Sequence, residues 1–385
     1  MRQRSDLVFP MAEFGRRLAE LRQRMAARGV DAVLVTTPEN LFYLTGYETQ
    51  GLWYFNGLVV PLDGEPFMVT RVAEDSVVED TTWVERRRPF RDVDDAMAIL
   101  ARAIDEFALA RKRIGYEKDS YFFRASEQEP LFALCPNARF VDCSGVVEAG
   151  RVIKSPLEIE LMQKAAAATT AGMRAGIGAV RAGATENDVA AEVYGGMLRA
   201  GGDYPALAPF IVSGPRGAVS HATWRGRRIE KGDVVFFEVG GCFRRYHAPM
   251  MRTVYVGALT PKLSEAEGLV REALEAAMVA IKPGAATGEA DAAARKVIAR
   301  NSFGATQYTR VGYGMGIACA ALWGEGHIID IKPGDTRAFR ENMTFHVIPY
   351  LQIPGEAAVG ISETVRVTAT GSESFMDFER RVFTA

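Results

Sequence analysis

Cysteine is scarce in this chain of 385 residues and is not arranged for metal or disulfide chemistry. The four cysteines, Cys135, Cys143, Cys242 and Cys319, form no CxxC pair and lie far apart in the sequence. This spacing argues against a disulfide framework and against a thiolate zinc site. We therefore expect reduced thiols, as is usual in the cytoplasm.

Long apolar runs and an excess of positive charge are also missing. No apolar stretch approaches the roughly 20 residues that a membrane helix needs, and the first residues lack the apolar segment of a signal peptide. Lys and Arg number 46 against 48 Asp and Glu, which leaves a formal net charge of -2 and no positive field to hold a polyanion. We therefore predict a cytoplasmic protein that binds neither nucleic acid nor membrane.

The composition is that of a packed protein with more than one domain. Hydrophobic residues make up 48% of the chain and charged residues 24%, which is ordinary for globular proteins. At roughly 150 residues per domain, the length predicts two or three domains.

The first 150 residues alternate helical and strand patterns. Phe14, Leu18, Leu21 and Met25 recur at helical spacing and predict a helix over residues 12–28. The apolar run at residues 31–36 predicts a buried strand, followed by a turn at residues 38–40. We predict an α/β domain over residues 1–150.

The pattern changes at Arg151. Pro156 suits the first turn of a long helix and Glu158 suits its positive end. Helices are predicted near residues 156–181, 185–200, 264–281 and 287–300, and strands near 234–239, 251–256, 344–349 and 364–368. Two successive sets of a helix pair and a strand pair predict a second domain, residues 151–385, whose halves enclose a cleft.

All histidines of the chain fall within this second domain. They are His221, His247, His327 and His346. Histidine is the side chain best able to move protons near neutral pH, so the second domain is predicted to be catalytic.

Several segments in order along the chain resemble the pita-bread family of aminopeptidase P, prolidase and creatinase. They are residues 29–35, 40–47, 151–158, 232–240, 251–253, 312–316 and 332–335. The resemblance implies a mixed α/β (α+β) architecture, with a creatinase-like N-terminal domain and a C-terminal pita-bread domain. It also implies a homodimer whose partner helps to roof the active site.

The metallopeptidases of that family hold two metal ions with two Asp, one His and two Glu. The matching positions here are Glu238, Pro249, Tyr313, Ile348 and Glu363. Pro and Ile side chains have no donor atom, so we predict an enzyme without metal or other cofactor. A single metal site using His247 and His346 is the alternative.

Creatinase and ectoine hydrolase are members of this family that cleave C–N bonds without metal. Residues 213–221 resemble the segment with the catalytic histidine of creatinase, so His221 is predicted to move the proton. Glu238 lies in an apolar strand pattern, where burial should raise its pKa and fit it for acid–base or nucleophilic work. Glu363 is predicted to face Glu238 across the cleft, and an ion pair with Arg252 is the structural alternative for Glu238.

Residues 245–252 and 343–349 resemble ectoine hydrolase more than creatinase or the peptidases. The predicted substrate-binding residues are His247, Tyr313, His346, Tyr47 and Trp323. Tyr47, with Trp53 and Tyr54, would supply an aromatic wall from the dimer partner for a cationic ligand, since cations are attracted to ring faces. Core packing is the alternative for Trp53 and Tyr54.

The predicted function is hydrolysis of a C–N bond in a small zwitterionic amino-acid derivative. Two alternatives remain open. One is a metal-dependent Xaa-Pro aminopeptidase or dipeptidase, and the other is a catalytically inactive peptide-binding module of the same fold.

Overall fold

A computed structural model describes residues 1–305, 307, 309–353 and 357–385. The chain divides into two compact units, Met1–Arg151 and Val152–Ala385. Within the described ranges, no helix combines the length and the apolar character that crossing a bilayer requires.

The first unit is built on one mixed sheet with the strand order β4-β3-β2-β1-β5-β6. Strand β1 is fully buried and lies inside this sheet. It runs antiparallel to β2 and parallel to β5. The strands are β1 Ala32–Val35, β2 Asn56–Pro61, β3 Phe67–Thr70, β4 Arg86–Arg87, β5 Arg113–Tyr116 and β6 Arg139–Asp142. The helices are α1 Met11–Ala27, α2 Pro38–Thr45, α3 Val72–Thr81, α4 Ala96–Glu106, α5 Ala125–Leu134 and α6 Glu148–Arg151.

Helix α2 replaces the turn that the sequence predicts after β1. Pro38 occupies its first turn, and Gly46 ends it with a φ of 83°. Residues 40–45 are all buried, so they show no helical alternation of apolar and polar side chains. This uniform burial is why the sequence pattern did not indicate a helix.

The second unit repeats one arrangement of helices and strands. Its first half contains α7 Pro156–Ala179, α8 Glu186–Arg199, β7 Phe210–Ser213, β8 Val234–Phe243 and β9 Tyr246–Tyr255. Its second half contains α9 Pro261–Ala280, α10 Thr287–Ile298, β10 Gly312–Gly314, β11 Asp330–Ile331, β12 Thr344–Val347, β13 Tyr350–Ile353, β14 Ala357–Gly360 and β15 Glu363–Val367. Two short strands follow, β16 Ser372–Ser374 and β17 Val382–Thr384.

Two sheets position the site in this unit. One has the order β17-β9-β8-β7 and the other β11-β10-β12-β15-β16. Phe237 of β8 packs in the apolar core shared with α7 and α8, and it lies against Gly176 of α7, where a larger side chain would collide. Since side chains alternate along a strand, Glu238 and Gly240 point to the opposite face, away from these helices.

Candidate functional site

Glu238 is a nearly buried carboxylate in the middle of β8, only 7% exposed. Its direct neighbours on the adjacent strands are Phe210 of β7 and Met251 of β9. Burial raises the pKa of Glu238 to about 8, and a hydrogen bond with Tyr313 opposes this rise. No Lys or Arg of the described residues pairs with it, so Glu238 is a buried acid held by neutral groups.

Tyr313 connects Glu238 with two further side chains. Its hydroxyl accepts a hydrogen bond from Trp323 Nε1 at 3.1 Å and lies 2.8 Å from His346 Nδ1. Tyr313 and His346 are direct partners across strands β10 and β12, so both side chains lie on the same sheet face. Burial, and then the charge of Glu238, raises the pKa of Tyr313 well above its ordinary value.

His346 is fully buried, and both its ring nitrogens are engaged. Nδ1 contacts the Tyr313 hydroxyl, and Nε2 lies 2.6 Å from Ser362 Oγ. Burial lowers the pKa of His346 to about 3, and the charge of Arg252 acts in the same direction. The ring is therefore neutral at physiological pH, and neither nitrogen is left for the substrate contact that the sequence predicts.

An aromatic wall connects Glu238 with His221. The Phe210 ring lies 5.3 Å from the Trp323 ring and 5.5 Å from the His221 ring, between ring centroids. The Trp323 indole lies directly against Gly240, where an added Cβ would come within 2.6 Å of it. His221 itself is exposed in a loop and adopts a φ of 57°, a left-handed conformation that is uncommon outside glycine.

The structure corrects the expectation that Glu363 faces Glu238 across a cleft. Glu363 is fully buried, accepts a hydrogen bond from Arg252 Nη2 at 2.6 Å and another from Ser374, and lies 3.6 Å from Arg380 Nε. Its neighbour Thr364 is the partner of His346, so Glu363 points to the other face of that sheet. Glu363 is therefore the anchor of a structural ion pair.

The position of Arg252 in strand β9 explains why it pairs with Glu363 and not with Glu238. It is the direct partner of Phe237, whereas Glu238 is the partner of Met251, so Arg252 and Glu238 lie on opposite faces of β8 and β9. The predicted alternative of a Glu238–Arg252 ion pair is therefore wrong, and Arg252 pairs with Glu363 instead.

His247 lies in β9, buried and held by backbone groups. Its Nε2 accepts from the Ala206 N–H at 3.0 Å, and its Nδ1 lies 3.0 Å from the Arg245 carbonyl oxygen. Burial, with the charge of Arg245, lowers the pKa of His247 to about 3. This geometry leaves no ring nitrogen for a substrate, so we assign His247 a structural role.

The aromatic residues predicted from the first domain differ in exposure. Tyr47 is buried within the first unit, and its hydroxyl donates to Asn56 Oδ1 at 2.8 Å. Trp53 is 83% exposed and Tyr54 is 48% exposed, so core packing, the alternative for these two residues, is wrong. A role for Tyr47 in substrate binding stays a prediction.

The residues at the family's metal positions do not fit a two-metal centre. Pro249 and Ile348 have no side-chain donor, Tyr313 is committed to Trp323 and His346, and Glu363 is bound to Arg252. Over the part of the chain that the structure describes, no group of three or more His, Cys, Asp or Glu could hold a metal ion. One carboxylate, that of Glu238, is left among the five positions, and we derive no step through a metal.

Sequence reasoning missed Phe210 and Ser362. Phe210 gave no signal, because its pairing with Glu238 depends on the register of β7 with β8. For Ser362 the sequence did contain a signal. Glu363, Val365 and Val367 alternate along the chain and share one buried face of the strand, which places Ser362 on the other face with Thr364.

Comparison with known protein families gives two matches that together span most of the chain. Residues 17–153 match the Creatinase/Prolidase N-terminal domain. Residues 160–369 match Metallopeptidase family M24.

Individual proteins resemble the chain over nearly its full length. The ectoine hydrolase of Halomonas elongata is 32% identical over 98% of this chain and 98% of its own length. The Xaa-Pro dipeptidase of Pyrococcus furiosus is 27% identical over 95% of this chain and 99% of its own. The crystal structure of a dipeptidase from Mycobacterium ulcerans superposes with a TM-score of 0.82 at 25% identity, covering 98% of this chain and 99% of that one.

Proposed function

Since this chain belongs to metallopeptidase family M24 and carries a creatinase/prolidase N-terminal domain, we propose that it hydrolyses a C–N bond of a small zwitterionic amino-acid derivative without a metal ion. The family membership confirms the predicted pita-bread fold and the predicted order of its domains. It also makes the protein a hydrolase of this family.

The proposal rests on one observation: at the positions where the family binds metal, this chain has a buried, hydrogen-bonded acid, Glu238, in place of a set of metal ligands. Glu238 is the remaining carboxylate among the metal positions. It is hydrogen-bonded to Tyr313, which in turn contacts His346 and Trp323, and all three are neutral donors and acceptors. A site of this kind can bind and attack a cationic amidine or guanidinium group. The similarity to an ectoine hydrolase supports a substrate of this class.

Each residue has a role in the proposed reaction. The ionised carboxylate of Glu238 reacts in one of two ways. It takes a proton from the water that attacks the carbon of the C–N bond, or it attacks that carbon itself and forms a covalent intermediate that water then hydrolyses. Tyr313 holds that carboxylate through its hydroxyl, and Phe210 and Trp323 form the wall against which the substrate lies. His221, at the exposed end of this wall, gives a proton to the departing nitrogen and regains one from the attacking water, directly or through Glu238.

The test is a substrate screen with creatine, ectoine, hydroxyectoine and related cyclic amidines, run with and without a chelator. We expect one of them to be hydrolysed at a rate that chelation does not change. Trapping Glu238 in a covalent adduct, detected by mass spectrometry, would distinguish the nucleophile from the general base. The proposal would be contradicted if the purified protein carries a stoichiometric transition metal and loses its activity when that metal is removed.

An Xaa-Pro dipeptidase is the second candidate, because relatives with that name match nearly the whole chain. If the protein hydrolyses an Xaa-Pro dipeptide and this activity depends on added manganese, the dipeptidase is favoured over a hydrolase that cleaves the C–N bond of an amidine. An inactive binding module fits the site less well, since such a module has no need of a buried acid with a raised pKa.

The homodimer remains part of the proposal, with Trp53 and Tyr54 contributed by the partner as a second aromatic surface, separate from the wall of Phe210 and Trp323. The high exposure of Trp53 and Tyr54 supports this arrangement. Light scattering should give twice the chain mass, and Trp53→Ala should raise KM while leaving the fold intact. A monomer with full activity would contradict the dimer.

A further inference from the structure

Two N–H groups that can only donate restrict the hydrogen positions around His346. The Met251 backbone N–H donates to Ser362 Oγ at 2.6 Å, and the Trp323 indole N–H donates to Tyr313 Oη. Each hydroxyl therefore has one hydrogen to give to another neighbour. His346 lies between these two hydroxyls, and as a neutral ring it carries a single N–H.

When Glu238 is ionised, one arrangement supplies every contact with a hydrogen. A carboxylate has none to give, so the Tyr313 hydroxyl donates to Glu238. Tyr313 Oη then accepts from His346 Nδ1, and His346 Nε2 accepts from the Ser362 hydroxyl. With Glu238 protonated the directions reverse, and the Ser362 hydrogen loses its acceptor on His346.

We propose that Ser362 and His346 are positioning residues that aim the Tyr313 hydroxyl hydrogen at Glu238 and so hold this carboxylate ready to react. The proposal rests on the proposed function for the role of Glu238. Both positioning residues are fully buried and act through Tyr313. His346 Nδ1 is 3.9 Å from Glu238 Oε1, beyond hydrogen-bond distance, which leaves the phenol as the connection.

The charges that face this chain of hydrogen bonds favour the same arrangement. Arg252 disfavours a positive charge on His346, and its own charge is balanced by Glu363. The Arg310 guanidinium carbon lies 4.7 Å from the Tyr313 ring centroid. A neutral His346 is what the positioning role requires.

The tautomer of His346 tests the proposal without any substrate. The chain has 4 histidines, so histidine labelled with nitrogen-15 gives few signals, and His346→Asn identifies the one that matters. At about pH 9, above the pKa of about 8 for Glu238, we expect the Nδ1–H tautomer. Tyr313→Phe should change it to Nε2–H, because Ser362 Oγ is then the acceptor that remains.

His247 provides an internal reference in the same spectra. The Ala206 N–H fixes its Nε2 as an acceptor, so it should stay in the Nδ1–H form in the parent and in Tyr313→Phe. An Nε2–H tautomer or a protonated ring at His346 in the parent at about pH 9 would overturn the proposal.

A kinetic comparison on the substrate from the screen tests the effect on the reaction. Ser362→Ala should lower kcat about tenfold, the scale of one positioned hydrogen bond, with KM nearly unchanged. Thr364→Val is the matched control, because it removes a buried hydroxyl two residues further along the chain that donates to the Pro249 carbonyl oxygen instead. It should leave kcat within about twofold.

The two tests separate this proposal from the proposed function. Equal losses of kcat in Ser362→Ala and Thr364→Val would overturn the positioning role even if the substrate class is right. If the screen finds no C–N hydrolysis, the proposed function fails, and the tautomer measurement still decides how His346 and Tyr313 are arranged.

Discussion

Glu238 and Glu363 are two buried carboxylates of the same unit, and they differ in their partners. Glu363 is paired with Arg252 and lies near Arg380, whereas Glu238 contacts the neutral Tyr313. Burial alone therefore does not mark a reactive acid. A cation beside the carboxylate makes it a structural anchor, and the lack of one among the described residues leaves Glu238 available for chemistry.

The largest expected effect comes from removing the cation of the structural pair. Arg252→Met leaves Glu363 buried without its main partner, which should lower the free energy of unfolding by about 3–5 kcal/mol. Denaturant unfolding followed by circular dichroism measures this loss. Arg380→Met is the control, because Arg380 is partly exposed and should cost less than about 1 kcal/mol. Similar losses in both variants would remove the distinction between the two acids.

Replacing the other acid should affect rate instead of stability. Glu238→Gln should lower kcat at least about a hundredfold, the scale of a positioned acid or base, and unfold no more easily than the parent. His221→Asn should lose a similar factor, and Asn tolerates the left-handed conformation that His221 adopts. Full activity in both variants, measured on the identified substrate, would make these residues structural.

The pKa of Glu238 predicts that activity and stability change with pH in opposite directions. Because the ionised form reacts, kcat should rise with pH through about 8. A carboxyl whose folded pKa is raised stabilises the fold fully below its unfolded pKa and loses that contribution as pH rises through about 8. Parent and Glu238→Gln are compared in denaturant at each pH, which cancels the contributions of the other titrating groups. A difference in stability that does not change with pH would contradict the raised pKa.

The smallest effect is expected at the edge of the structural pair. Ser374→Ala removes one hydrogen bond to Glu363, which should cost about 1 kcal/mol of stability and leave kcat unchanged. Thermal unfolding and a turnover assay measure the two quantities. A loss of turnover here would mean that the structural acid also serves the reaction.

The sequence predicted the fold well because its signals are local. The long helices have helical spacing and terminal residues such as Pro156, which predicts α7 to within a few residues of its end at Ala179. The helix α2 was missed because uniform burial removes the pattern on which such a prediction depends.

The site was predicted less completely because its geometry depends on register. Glu238, Tyr313 and Trp323 do come together, but Glu363 was placed on the wrong face of its strand. The alternation of Glu363 with Val365 and Val367 indicates which face of the strand Glu363 occupies. The contact between Phe210 and Glu238 joins residues of two strands, and no local pattern encodes it.

The guanidinium of Arg252 has a practical consequence for handling this protein. It donates to the carbonyl oxygens of Ser362, Phe378 and Glu379, so one side chain holds the start of β15, which directly follows Ser362, and the segment after β16 together. Strand β17 then adds to the sheet beside β9. Trimming residues 378–385, or fusing a tag closely to them, should disturb the start of β15 beside Ser362, whereas an affinity tag before Met1 avoids this connection.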